Sequence, residues 1–139
     1  MGCIKVNTRT VRADALLIPM LAYCAASLLH FAHNAIYVDA YPNLPASLTS
    51  ARVWMAWLAV TSVGVLGYVL MQAGRQLTGL FVTIIYAVIG FDGLAHYAVA
   101  PLSAHTPAMN LTIWLEVFAA AILLIAAARR LVQRVWQRF

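Results

Sequence analysis

The sequence predicts an all-α integral membrane protein: a four-transmembrane-helix bundle running up-down-up-down, with both termini cytoplasmic. Three observations carry this expectation. The chain is 64% hydrophobic and only 9% charged, against roughly 25% charged for a soluble domain. Four apolar segments reach the ~20 residues needed to cross a hydrocarbon core of ~30 Å. The basic residues gather at alternate ends of those segments, as the positive-inside rule requires. At 139 residues, residues 1–139 form a single membrane domain.

The first segment, residues 15–38, follows a basic tail containing Lys5, Arg9 and Arg12. A charged start before an apolar run that reaches Ala25-Ala26-Ser27 also fits a signal peptide, but the run continues toward Val38 and is too long for one, so the segment reads as retained. Met1-Gly2-Cys3 is not a myristoylation signal, because Val6 stands where that motif needs Ser or Thr. Cys3 and Cys24 have neither disulfide nor zinc-ligand spacing and read as free thiols. The stretch Tyr41-Pro42-Asn43-Leu44-Pro45 then breaks the chain.

The second segment covers residues 53–72, and a short turn around Gly74-Arg75 leads into the third, residues 77–100. A loop from Pro101 to Pro107 precedes the fourth, residues 109–128. Beyond it, Leu131, Val135 and Trp136 alternate with Arg129, Arg130, Arg134 and Arg138, so residues 129–139 are expected to continue as an amphipathic helix, a cytoplasmic tail lying on anionic lipid. The two tails and the Gly74-Arg75 turn hold every Lys and Arg except Arg52. Topology therefore accounts for the net charge of +5, and no nucleic-acid partner is expected. Gly-rich phosphate loops and nucleophile motifs are missing as well. The two halves echo each other weakly: each has an outgoing helix with a histidine near its outer end, a Pro-containing loop, and a returning helix with an early tryptophan, Trp54 or Trp114.

Ionisable groups inside a span cost several kcal/mol unless they are paired, hydrated or bound to a ligand. Here they are His30, His33, Asp92, His96 and Glu116. His30 and His33 share a helix face, as do Asp92 and His96, at spacings that let one helix offer two ligands to one ion. At ~1.5 Å per residue from the expected helix ends, His30, His33 and His96 lie roughly 6–10 Å deep and Asp92 and Glu116 roughly 14 Å. Three helices thus bring costly groups to one depth in the outer leaflet.

Three imidazoles with one or two carboxylates suit a divalent transition metal such as Zn, Fe or Cu, bound by His30, His33, Asp92, His96 and Glu116. Asn34, Tyr37, Tyr97 and Asn110 are candidates to hydrogen-bond those ligands, while His105, in a loop, reads as solvated. The expected function is a metal-dependent membrane enzyme acting on a lipid-soluble or externally supplied small molecule, with Glu116 or Asp92 as general base. An acid-base enzyme without metal, such as a lipid isomerase, is a further reading. The alternatives from other classes are an accessory subunit or carrier in a larger membrane complex or homo-oligomer, and an electron-transfer subunit with haem held by His30 or His33 and by His96. The expected location is a bacterial inner membrane, with the site toward the periplasmic face. Trp54, Trp57 and Trp114 fall near the outer boundary, either as an aromatic belt or as the wall of a pocket.

Overall fold

A computed structural model describes residues 8–137, with side chains described from residue 15 onward. Cys3, Lys5, Arg138 and Phe139 lie outside the described residues. No strand occurs among the described residues, and four helical stretches are long and apolar enough to cross a membrane: Ala15–Ile36, Ser50–Gln72, Gln76–Val99 and Pro107–Trp136. Helix α1 is Thr8–Ile36 and α2 is Ser50–Gln72. The third span divides into α3 (Gln76–Ile89), a 3₁₀ turn (Asp92–Ala95) and the short α4 (His96–Val99), and α5 is Pro107–Trp136. Each long helix packs against two others: α1 on α2 and α5, and α3 on α2 and α5.

The helix starts follow local chemistry. Thr49 caps α2 by accepting from the Arg52 amide at 3.3 Å, and the Arg52 guanidinium binds the Ser47 carbonyl at 2.6 Å. That contact gives Arg52 a local role in the loop before α2. Thr106 caps α5 in the same way, with Pro107 supplying a fixed φ at the first helical position. Between α2 and α3, Gly74 takes φ +83, the left-handed conformation that reverses the chain after α2.

The apolar core joins Leu16, Met20 and Tyr23 of α1, Met71 of α2, Leu80 and Tyr86 of α3, and Leu123 of α5. Close helix approach depends on glycine. A β-carbon on Gly79 would stand 2.8 Å from the Gly67 carbonyl oxygen, so α2 and α3 pack backbone to backbone there. Large apolar side chains such as Ile18, Phe81, Leu111, Phe118 and Ile122 point outward and are more than half exposed, as lipid-facing positions require.

One feature differs from expectation. The third span is not one helix over residues 77–100: α-helix stops at Ile89, and the chain passes through a 3₁₀ turn before α4. Gly90 and Gly93 lower helix propensity at that point, and Gly90 is held against Tyr23 and Ala120, where its absent side chain is required. The arginine-rich tail continues as helix, as its interleaving of apolar residues and arginines suggests. It extends α5 without a break to Trp136, since nothing between Ala126 and Trp136 is a helix breaker.

Candidate functional site

Three pieces of chain bring polar side chains to a cavity of about 250 Å³. The last turns of α1 supply His30 and Asn34, the broken part of the third span supplies Asp92, Gly93 and His96, and α5 supplies Glu116. The remaining wall is largely apolar, including Phe31, Leu48 and Val53. Irregular backbone at membrane depth is tolerated only where it is buried in protein or lines a cavity, and this break does the latter. Gly93 allows the approach: a β-carbon there would lie 3.5 Å from Glu116 Oε2 and 3.9 Å from His30 Nε2.

The hydrogen bonds around His30 assign its protons. Asn34 Nδ2 lies 3.0 Å from His30 Nε2 and 3.3 Å from His96 Nε2. An amide nitrogen only donates, so both Nε2 atoms accept and each imidazole proton sits on Nδ1. His30 passes that proton toward Thr112 Oγ1 at 3.4 Å, and Thr112 donates in turn to the Met109 carbonyl at 3.0 Å. His96 Nδ1 is buried without a partner.

Glu116 completes the arrangement. It is 2% exposed, its Oε2 has no hydrogen-bond partner, and that oxygen faces His30 Nε2 at 3.7 Å. Two acceptor atoms thus face each other across 3.7 Å, an opposition that a proton on the carboxyl relieves. Ser27, fully buried on the next turn of α1, lies within electrostatic reach of the same carboxyl.

The five expected ligands are therefore divided. His30, His96 and Glu116 stand around the cavity, while Asp92 lies at its rim with an exposed side chain. His33 faces elsewhere, its Nδ1 2.8 Å from the Tyr41 hydroxyl and its ring 4.7 Å from that of Tyr37. Among the described residues, no three His, Cys, Asp or Glu side chains are grouped so as to hold a metal ion as they stand. Burial pushes the Tyr41 hydroxyl up to about 12, so it keeps its proton and donates to His33.

Some members of the site were not expected from sequence. His105 is 5% exposed and not solvated: its Nδ1 donates to the Pro101 carbonyl at 3.1 Å, and its ring meets Tyr97 at 5.3 Å and His96 at 6.0 Å. Tyr41, in the loop after the first span, is a buried hub whose ring lies 4.9 Å from His96. Thr112 does carry a sequence signal, standing four residues before Glu116 and so on the same helical face. Of the four candidates for ligand support, Asn34 joins the site directly, and Tyr97 donates to Asn110 Oδ1 at 2.8 Å while Asn110 holds the Leu102 and His105 carbonyls. The rings of Trp54, Trp57 and Trp114 do not line the cavity; Trp114 stacks on Tyr97 and is over a third exposed. No family model, curated protein or solved structure matches this chain.

Proposed function

We propose that the protein is a membrane-embedded acid-base enzyme that moves a proton on a small lipid-soluble molecule, an isomerase-type reaction, at the outer end of an up-down-up-down bundle with cytoplasmic termini. One observation carries the reading. Glu116 is buried with an unpartnered oxygen, opposite His30, on a cavity walled by a broken transmembrane span. A fold that holds an unsatisfied buried carboxyl sacrifices stability, and such groups inside a membrane mark sites of use.

In the proposed reaction, an apolar molecule enters beside Phe31 and Val53 and sets an activated C–H against Glu116 Oε2. The carboxylate takes that proton, the electron pair moves into an adjoining unsaturated system, and the carboxyl, whose proton exchanges with solvent before transfer, returns one proton at another carbon, so nothing is oxidised or consumed. His30, fixed by Asn34 and Thr112, positions and stabilises the carboxyl in both of its states. The unpartnered Nδ1–H of His96 is the donor available to an oxygen on which charge develops.

The test works without an identified substrate. Purified protein is incubated in D₂O with a lipid extract of its host membrane, and the lipids are examined by mass spectrometry. Wild type is expected to place deuterium into one lipid class, and Glu116→Gln to abolish that incorporation. Equal labelling by both proteins would overturn the reading.

A metal-dependent version of the same site draws support from a separate observation. Two imidazole Nε2 atoms converge on one point, now held by the Asn34 amide. Rotation of Asn34 would open that point to Zn, Fe or Cu with Glu116 adjacent. Stoichiometric metal in the purified protein, lost in His30→Ala and His96→Ala, would favour this version. A metal-free protein that still exchanges deuterium would exclude it, and a Soret band would point to haem instead.

A further inference from the structure

At the opposite end of the bundle, Gln76 of α3 and Arg130, Gln133, Arg134 and Gln137 of α5 line a cleft of about 200 Å³. Its floor is apolar, formed by Met71 and Leu80. A second cleft of about 190 Å³ adjoins it and shares Gln76, Arg134 and Gln137. We propose that this cleft binds the phosphate headgroup of an anionic glycerophospholipid, with Arg134 as the principal contact. The proposal is independent of the reading of the Glu116 site.

The chemistry of the walls selects the ligand class. Arg134 offers a planar fork of donors suited to two phosphate oxygens, Arg130 adds a second guanidinium to the same wall, and the glutamine amides supply neutral donors beside them. The side chain of Arg75 does not cap α3, so the amides of the first turn remain turned toward this end, where a negative charge is favoured. Gln76 itself is held in place by its bond to the Met71 carbonyl at 2.6 Å.

The surroundings favour a lipid over free phosphate. The same stretch of α5 that sends Arg134 and Gln137 into the cleft presents Val132, Val135 and Trp136 outward, with Trp136 77% exposed. A headgroup seated in the cleft would have its acyl chains start beside Leu77, which lines the adjoining cleft, and run along α3 past Phe81, exposed one turn further on. Basic pockets between transmembrane helices at the positively charged side of a membrane protein bind anionic headgroups in this manner.

The test uses the full chain in nanodiscs of equal phosphatidylglycerol and phosphatidylcholine, with native mass spectrometry reading the lipid retained after extraction. Wild type is expected to retain phosphatidylglycerol preferentially, and Arg134→Gln to reduce that preference roughly five- to tenfold. Arg134→Lys should retain part of it, and Arg129→Gln, an exposed position outside the cleft, should leave it unchanged. The helical circular dichroism of each variant confirms that it is folded. Equal retention of the two lipids by wild type, or an equal loss in Arg129→Gln and Arg134→Gln, would overturn the proposal. Displacement of the lipid by millimolar inorganic phosphate would also overturn it, by identifying free phosphate as the ligand.

Discussion

Replacing Glu116 with leucine is expected to stabilise the protein while abolishing the proposed proton transfer. The carboxyl is 2% exposed, its Oε2 accepts no hydrogen bond, and the facing His30 nitrogen is 3.7 Å away. Leaving one buried polar group unsatisfied costs about 1–3 kcal/mol, and exchanging buried ionisable groups for apolar residues of similar volume commonly stabilises by about 1–4 kcal/mol. Space permits the exchange on the side of Gly93, where even an added β-carbon would keep 3.5 Å from Oε2. The net gain should be roughly 1–3 kcal/mol, with Glu116→Gln between the two. Denaturant unfolding in detergent micelles, followed through tryptophan fluorescence, reads the change. A loss of about 2 kcal/mol or more in Glu116→Leu, the size of a broken buried interaction, would show that the carboxyl holds the fold together and would refute the idea that it is kept for chemistry.

Other consequences are open to the same kind of measurement. Tyr41→Phe removes the 2.8 Å bond to His33 and should cost about 1 kcal/mol while leaving the Glu116 cavity intact. The Tyr41 hydroxyl is raised by burial from 10.0 to about 12, so the unfolded chain loses this proton first as the pH rises. Its contribution to stability should thus be complete below pH 10 and lost between pH 10 and 12, a decline that Tyr41→Phe should remove. Gly79→Ala forces a β-carbon to 2.8 Å from the Gly67 carbonyl and should destabilise by roughly 1–3 kcal/mol, whereas Gly93→Ala, with 3.5 Å available, should fold normally. Thr106→Ala removes the cap of α5 and should cost about 1 kcal/mol.

Much of this architecture is legible in the sequence because it depends on local composition and on charge. Four long apolar runs and the punctuation by Pro42, Pro45, Gly74, Pro101 and Pro107 locate the helices and loops. Depth alone brings His30, His96 and Glu116 together, since helical rise converts residue number into position along the membrane normal. Rotation about each helix axis is not legible in the same way. His33 lies three residues from His30 and shares its face by spacing, yet a loop residue, Tyr41, takes its nitrogen. Spacing sets Asp92 on a regular helix, whereas the α-helix ends at Ile89 and Asp92 opens a 3₁₀ turn as an exposed residue. His105 reads as exposed because loops usually are, but the rings of Tyr41, His96 and Tyr97 close around it. Each of these outcomes depends on tertiary contacts between residues distant in sequence or on a helix break, and hydrophobic periodicity carries neither.

The most direct test of the central claim uses a hydrophobic carbodiimide, which enters the bilayer, takes a proton from a buried carboxyl and converts that carboxyl to a stable acylurea. The expected result is modification at Glu116, mapped by peptide mass spectrometry, with loss of the deuterium exchange in the modified protein and weaker labelling when His30→Gln removes the partner of the pair. Labelling of Asp92 with Glu116 untouched, or full exchange activity after Glu116 is modified, would contradict the assignment of this carboxyl as the working acid-base group.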